Sequence, residues 1–106
     1  MRDLQAGIDL DQEISSYKIL ILQYGRKSCP PCTSISNRLD DFTNGLDDIS
    51  SIYIDLDRFP LVAGQREIFS VPTLEIYCEG RLAIKKAGYF SLNDIIKQIK
   101  ELLFDK

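Results

Sequence analysis

The first half of the chain alternates between helical and strand-like spacing of its hydrophobic residues. Apolar positions among acidic residues predict a short helix over residues 8–16, with Asp9 as its N-cap. A continuous apolar run then predicts a strand over residues 17–24 that is buried on both faces. A second helix over residues 31–43 and a second strand over residues 49–55 follow. This alternation is typical of parallel strands joined by crossover helices.

The second half of the chain ends the alternation with a hairpin. The pattern predicts a short helix over residues 60–69, two strands over residues 73–78 and 81–87, and a last helix over residues 92–104. Glu79-Gly80 is a suitable tight turn between the two strands. We therefore predict one α/β domain spanning residues 1–106, with a mixed sheet of four to five strands and helices on both faces.

Charge and composition exclude several classes of function. The net charge is −3 and the basic residues are scattered, so the sequence predicts no basic patch that could bind nucleic acid or an anionic membrane. The chain contains no histidine, which excludes Ser–His and Cys–His catalysis. The first residues lack the apolar core of a signal peptide, and the longest apolar run is too short to span a bilayer. These features predict a cytoplasmic protein.

Two cysteines carry the main candidate chemistry. Cys29 and Cys32 form a C-x-x-C pair between a predicted strand and a predicted helix. Unpaired backbone N–H groups and the positive end of the helix dipole favour a thiolate at that position. We expect Cys29, at the mouth of the turn, to be the exposed nucleophile. Cys32, one turn further in, would attack and resolve a mixed disulfide.

The neighbours of this pair are expected to tune its chemistry. Arg26 and Lys27 lie close in sequence and would favour the thiolate. Pro30 and Pro31 are tolerated in the first helical turn and would stiffen it, which biases the balance between dithiol and disulfide.

The alternative for a C-x-x-C pair is half of a metal site. Tetrahedral zinc needs a second pair of ligands, and Cys78 is the only further cysteine. We therefore expect no metal and no cofactor, and Cys78 is interpreted as a bystander thiol. On the same predicted strand, Glu75 and Tyr77 alternate with apolar residues, which predicts a solvated face.

Three stretches of the chain resemble the thioredoxin family. The segment from Ile19 to Cys32 is similar to the family's active-site region, and Phe69 to Leu74 is similar to its cis-proline loop. Glu79-Gly80, followed by residues 86–89, is similar to the family's hairpin turn and late glycine. The resemblance covers about residues 8–104.

This resemblance implies a cis peptide bond before Pro72 and a groove that holds an extended substrate segment by strand addition. It also implies protein substrates that contain disulfides, reduction by thioredoxin reductase or another dithiol donor, and no bound cofactor. No apolar surface stripe is left over for a partner copy, so we expect a monomer. The substrate-binding residues implied are Val71, Pro72, Thr73, Gly88 and Tyr89.

The chain departs from the family pattern near the active site. Gln23 stands where many thioredoxins have a buried acid, and Tyr53 stands where a lysine often pairs with that acid. Ser28 replaces the aromatic residue before the first cysteine, and the chain has no tryptophan. The dipeptide is Pro-Pro, where Gly-Pro is common. These changes indicate a specialised member with an altered rate or reduction potential.

Two other functions stay open at this stage. A glutaredoxin-like reductase that uses glutathione shares the Cys-Pro-x-Cys pattern and the Val-Pro-Thr loop. A binding module could instead use the fold to hold a partner or a metal, with the cysteines structural. Fold alone does not choose among these functions.

Overall fold

A computed structural model describes residues 1–104 of the chain. Within that range it contains five strands and four helices. In chain order they are β1 (Arg2–Asp3), α1 (Leu10–Ser16), β2 (Ile19–Gly25), α2 (Pro30–Thr43), β3 (Ile49–Asp55), α3 (Pro60–Gln65), β4 (Thr73–Cys78), β5 (Arg81–Ala87) and α4 (Leu92–Phe104). None of the helices in residues 1–104 has the length and apolar character needed to cross a membrane.

The five strands form one mixed sheet in the order β1-β3-β2-β4-β5. The central strand β2 pairs in parallel with β3 and antiparallel with β4, and all seven of its residues are buried. This confirms the predicted α/β class. Strand β1 was not predicted, because two exposed residues form no periodic pattern of their own.

The two faces of the sheet bury separate hydrophobic clusters. Leu20 and Leu22 of β2 face α1 and α3, whereas Ile19 and Ile21 face α2 and α4. Successive side chains of a strand point to opposite faces, so the apolar run of β2 supplies both clusters. This explains why the strand shows no alternation of apolar and polar residues.

Helix α3 is shorter than the sequence pattern predicts. The expected helix covered residues 60–69, but α3 ends at Gln65. Glu67 has a φ of 57°, a left-handed conformation that a helix cannot continue through. The chain turns there so that the N–H of Ile68 bonds to the carbonyl of Ala63 at 2.8 Å, and Ile68 enters the core.

The expectation of a solvated face on β4 is wrong at Glu75, which is 3% exposed. The hydroxyl groups of Tyr24 and Tyr77 donate hydrogen bonds to Glu75 Oε1 at 2.5 and 3.3 Å. Lys85 Nζ lies 3.7 Å from Oε2. Because the packing of α1 and α3 covers this face of the sheet, the carboxylate is enclosed together with its donors.

Candidate active site

The candidate site lies where β2 leads into α2. Cys29 is the N-cap residue of α2, and its side chain makes no capping hydrogen bond. Its backbone N–H donates to the carbonyl of Arg26 at 3.1 Å and closes the turn after the strand. The sulfur is therefore held at a helix N-terminus, where the helix dipole favours a negative charge.

Cys29 and Cys32 are joined by a disulfide bond, with their Cα atoms 5.4 Å apart. Cys32 is fully buried, and Cys29 is 8% exposed. Cys29 is thus the more accessible cysteine, as expected, but it is far less exposed than the sequence analysis assumed. The approach to the disulfide is confined to the side on which Cys29 borders a groove.

The expected tuning residues surround this turn. Pro30 and Pro31 occupy the first positions of α2, where a missing N–H costs no intrahelical bond. The guanidinium of Arg26 donates to Asp57 Oδ1 at 2.5 Å, so part of its charge is neutralised by that carboxylate. Lys27 is exposed. An effect of these residues on the thiolate stays a prediction.

A groove of about 810 Å³ runs beside Cys29. Four of the five residues implied as substrate-binding line it, namely Val71, Pro72, Gly88 and Tyr89. The Val71-Pro72 peptide bond is cis, and the N–H of Gly88 donates to the carbonyl of Pro72 at 3.0 Å. This bond ties the loop before β4 to the end of β5.

Thr73 does not belong to the groove, contrary to the expectation from the resemblance. It is 1% exposed, and its hydroxyl donates to the carbonyl of Ser70 at 2.6 Å. As the first residue of β4 it points into the sheet packing, where it holds the preceding turn. Phe90 and Leu92, which the substrate-site prediction omitted, add apolar wall to the groove.

A neutral polar network lies beneath Cys32. The side-chain amide of Gln23 donates to the carbonyl of Cys32 at 2.8 Å. The hydroxyl of Ser36 lies 3.0 Å from both Gln23 Oε1 and the same carbonyl. Gln23 is fully buried, so the position that often carries an acid in the family here holds the first turn of α2 with an uncharged amide.

Gly25 and Tyr53 form a contact that the sequence analysis missed. A Cβ atom at position 25 would lie 2.7 Å from Tyr53 Cζ and 2.9 Å from Cys32 Sγ, too close for a real side chain. The phenol of Tyr53 and the sulfur of Cys32 thus share the space that Gly25 leaves open. The resemblance offered one signal, since it sets Tyr53 where a lysine often pairs with the residue at position 23, and the parallel register does place Gln23 opposite Tyr53.

Cys78 lies at the end of β4 as a free, half-buried cysteine. Residues 1–104 contain no group of three or more histidine, cysteine, aspartate or glutamate side chains that could hold a metal ion.

The thioredoxin family model matches residues 5–101 of this chain. The thioredoxin of Mycoplasmoides gallisepticum is 25% identical over 103 residues, which are 97% of this chain and 99% of that protein. The thioredoxin of Staphylococcus epidermidis is 28% identical over 82 residues, covering 76% of this chain and 78% of that protein.

Solved structures of thioredoxins share the fold. Oxidised thioredoxin from Plasmodium falciparum has a TM-score of 0.78 at 21% identity, covering 93% of this chain and 97% of its own. Oxidised mitochondrial thioredoxin 3 from Saccharomyces cerevisiae has a TM-score of 0.80 at 22% identity, covering 95% and 94%. At identities this low, the structural likeness shows a shared fold and nothing further.

Proposed function

The chain belongs to the thioredoxin family, and from that premise we propose that Cys29 and Cys32 reduce disulfide bonds in protein substrates. The protein is a thiol–disulfide oxidoreductase. The observation that carries the assignment of the two cysteines is their disulfide at the N-terminus of α2, with Cys29 facing the groove and Cys32 enclosed behind it.

The reaction proceeds in two exchange steps. The Cys29 thiolate attacks one sulfur of the substrate disulfide, the substrate S–S bond breaks, and the first substrate thiolate leaves. Cys32 then loses its proton and attacks the Cys29 sulfur, which releases the second substrate thiolate. Two electrons pass from the cysteine pair to the substrate. Each released substrate thiolate takes up one proton from the solvent or from Cys32, which balances the protons lost when Cys29 and Cys32 ionise.

We propose that the groove holds the substrate segment in an extended form. Val71 and Pro72 offer backbone beside Cys29, and main-chain pairing there would align a substrate strand with the nucleophile. The rings of Tyr89 and Phe90 give the groove an apolar wall. A preference for disulfides flanked by apolar residues follows from this lining.

The setting of the reaction is also part of the proposal. The protein would work in the cytoplasm as a single-domain monomer that carries electrons and contributes to thiol balance. An odd number of cysteines, with Cys78 unpaired, suits a reducing compartment. Thioredoxin reductase or another dithiol donor would regenerate the reduced pair, as is expected for the family.

A redox titration tests this function. The protein is equilibrated in dithiothreitol or glutathione buffers, and its thiols are trapped by alkylation. The masses of the peptides that contain Cys29, Cys32 and Cys78 are then measured by mass spectrometry. We expect one two-electron transition confined to Cys29 and Cys32, with a midpoint more negative than roughly −200 mV, on the side of the scale where thioredoxin lies at about −270 mV, and reduction of insulin by the dithiol form. The matched control Cys78→Ser is expected to titrate like the wild type, whereas Cys29→Ser is expected to reduce no insulin.

Two results would contradict the proposal. If no Cys29–Cys32 disulfide forms in any buffer, the pair is not redox-active and the enzyme function is wrong. A midpoint of roughly −200 mV or above, with turnover driven by glutathione but not by thioredoxin reductase, would indicate a glutaredoxin-like enzyme instead.

A further inference from the structure

The polar side chains bonded beneath Cys32 cannot exchange a proton at neutral pH. Gln23 is an amide, and its oxygen and nitrogen are both engaged, with Ser36 and with the carbonyl of Cys32. Ser36 is an alcohol. The sulfur of Cys32 must nevertheless lose a proton before it can resolve a mixed disulfide, so its thiolate needs stabilisation from another direction.

Tyr53 approaches the same sulfur from the neighbouring strand. Tyr53 of β3 pairs with Gln23 of β2 in the parallel register, and paired residues point to the same face of the sheet. The ring of Tyr53 therefore lies on the face that carries α2. Gly25 has no side chain, and the end of the phenol fills the space in front of it, beside Cys32 Sγ. A Cβ atom at position 25 would overlap the end of the phenol and crowd Cys32 Sγ, so the hydroxyl must move if position 25 carries a side chain.

The surroundings of Tyr53 keep its hydroxyl protonated. Burial, and after it the carboxylates of Asp55, Asp3 and Asp57, raise the pKa of the phenol. Two cations, Lys27 and Arg58, line a shallow cavity with Tyr53, Asp3 and Asp55, and Arg26 pairs with Asp57. A neutral phenol is a hydrogen-bond donor and a poor base. Its useful action on Cys32 is therefore donation.

We propose that the Tyr53 hydroxyl donates a hydrogen bond to the Cys32 thiolate during the resolving step, through the opening that Gly25 leaves. This inference rests on the proposed function. The Cys32 proton passes to water or to the substrate thiolate released first, and Tyr53 keeps its own proton. The Cys32 electron pair then forms the bond to the Cys29 sulfur while the mixed disulfide breaks.

The resolving step can be observed directly with Ellman's reagent in a stopped-flow instrument. In a reduced Cys78→Ser background, attack by Cys29 releases one thionitrobenzoate, and attack by Cys32 on the mixed disulfide releases a second. The pH dependence of the second phase reports the ionisation of Cys32. Tyr53→Phe removes the hydroxyl alone. Tyr17→Phe serves as the matched control, because Tyr17 precedes β2 at the end opposite Gly25.

For Tyr53→Phe we expect the pH midpoint of the second phase to rise by about one unit. Below the midpoint the second phase would slow about tenfold, because the thiolate fraction falls tenfold. The first phase and the high-pH plateau are expected to change little. Gly25→Ala, which displaces the hydroxyl but keeps the phenol, is expected to shift the midpoint in the same direction. Tyr17→Phe is expected to behave like the parent.

The outcomes distinguish a failure of the proposed function from a failure of the role assigned to Tyr53. If the parent releases no thionitrobenzoate in the first phase, the proposed function fails and the inference fails with it. If both phases occur and folded Tyr53→Phe keeps the parent midpoint, the inference alone is wrong. Should Tyr53→Phe not fold, an unmoved midpoint in Gly25→Ala would overturn it equally.

Discussion

Each face of the sheet buries one cluster of polar side chains, and the two clusters start from neighbouring residues of β2. Gln23 faces α2, where it bonds the carbonyl of Cys32 and accepts from Ser36. Tyr24 faces α1 and α3, where it donates to Glu75. The first cluster is neutral and supports the reactive helix, whereas the second contains a carboxylate and contacts neither cysteine of the pair.

The difference shows that this chain keeps its buried carboxylate on the face of the sheet opposite the redox-active cysteines. A carboxylate beneath Cys32 would raise the pKa of that thiol through like-charge repulsion. On the opposite face, Glu75 instead has two tyrosine hydroxyls and Lys85 to compensate its burial. We infer that the Glu75 cluster contributes to stability and the Gln23 cluster to the chemistry, and the two can be tested separately.

The largest expected effect is the loss of stability on replacing Glu75. Glu75→Leu should lower the free energy of unfolding by about 2–4 kcal/mol, because the buried Tyr24 hydroxyl loses its acceptor. Urea unfolding of the oxidised protein measures this loss. The redox midpoint should stay at the wild-type value, since the cluster contacts neither Cys29 nor Cys32.

Glu75→Gln is the matched control, because its amide oxygen still accepts from Tyr24. It should lose less than half as much stability as Glu75→Leu. An unchanged urea midpoint in Glu75→Leu, or a shifted redox midpoint in either variant, would contradict the assignment of this cluster to stability.

The buried carboxylate also shows where the sequence stops being informative about the fold. The types and order of the elements other than β1 followed from the sequence, because β2 is a continuous apolar run and α4 carries a strongly periodic apolar stripe. Glu75 alternates with Leu74 and Ile76 like a residue on a solvated face. Its burial depends on α1 and α3 packing across that face, which is a property of the topology and not of the local pattern.

The second expected effect is on the stability of the protein at alkaline pH. Burial and the hydrogen bond to Glu75 raise the pKa of Tyr24 in the folded protein. The unfolded chain releases this proton above about pH 10 while the folded protein retains it. The stabilising contribution is therefore present below that pH and is lost as the pH rises further.

Tyr24→Phe should make the alkaline decline shallower by about 1.4 kcal/mol per pH unit. Urea unfolding at several pH values above 10 measures the two slopes. A residual slope is expected, because burial also raises the pKa of Tyr77 and Tyr53, which remain in the variant. Equal slopes in the two proteins would show that Tyr24 ionises as readily when folded as when unfolded.

At the active site, too, some features follow from the local sequence and others depend on contacts between distant segments. The placement of Cys29 and Cys32 at a helix start could be predicted, because the C-x-x-C spacing and the strand before it are contiguous in sequence. The proximity of Tyr53 to Cys32 could not, because it depends on the register of two parallel strands and on the missing side chain of Gly25.

The smallest expected change in stability comes from the neutral cluster. Gln23→Leu should lower the free energy of unfolding by about 1 kcal/mol, because Ser36 still donates to the carbonyl of Cys32 after the amide is removed. The same variant should slow the second thionitrobenzoate phase, since one of two bonds that hold the first turn of α2 is lost. Glu75→Leu, despite its larger cost in stability, should leave that phase unchanged. If Gln23→Leu instead kept the wild-type resolving rate and lost as much stability as Glu75→Leu, both clusters would be structural, and the orientation of Cys32 would depend on the helix backbone alone.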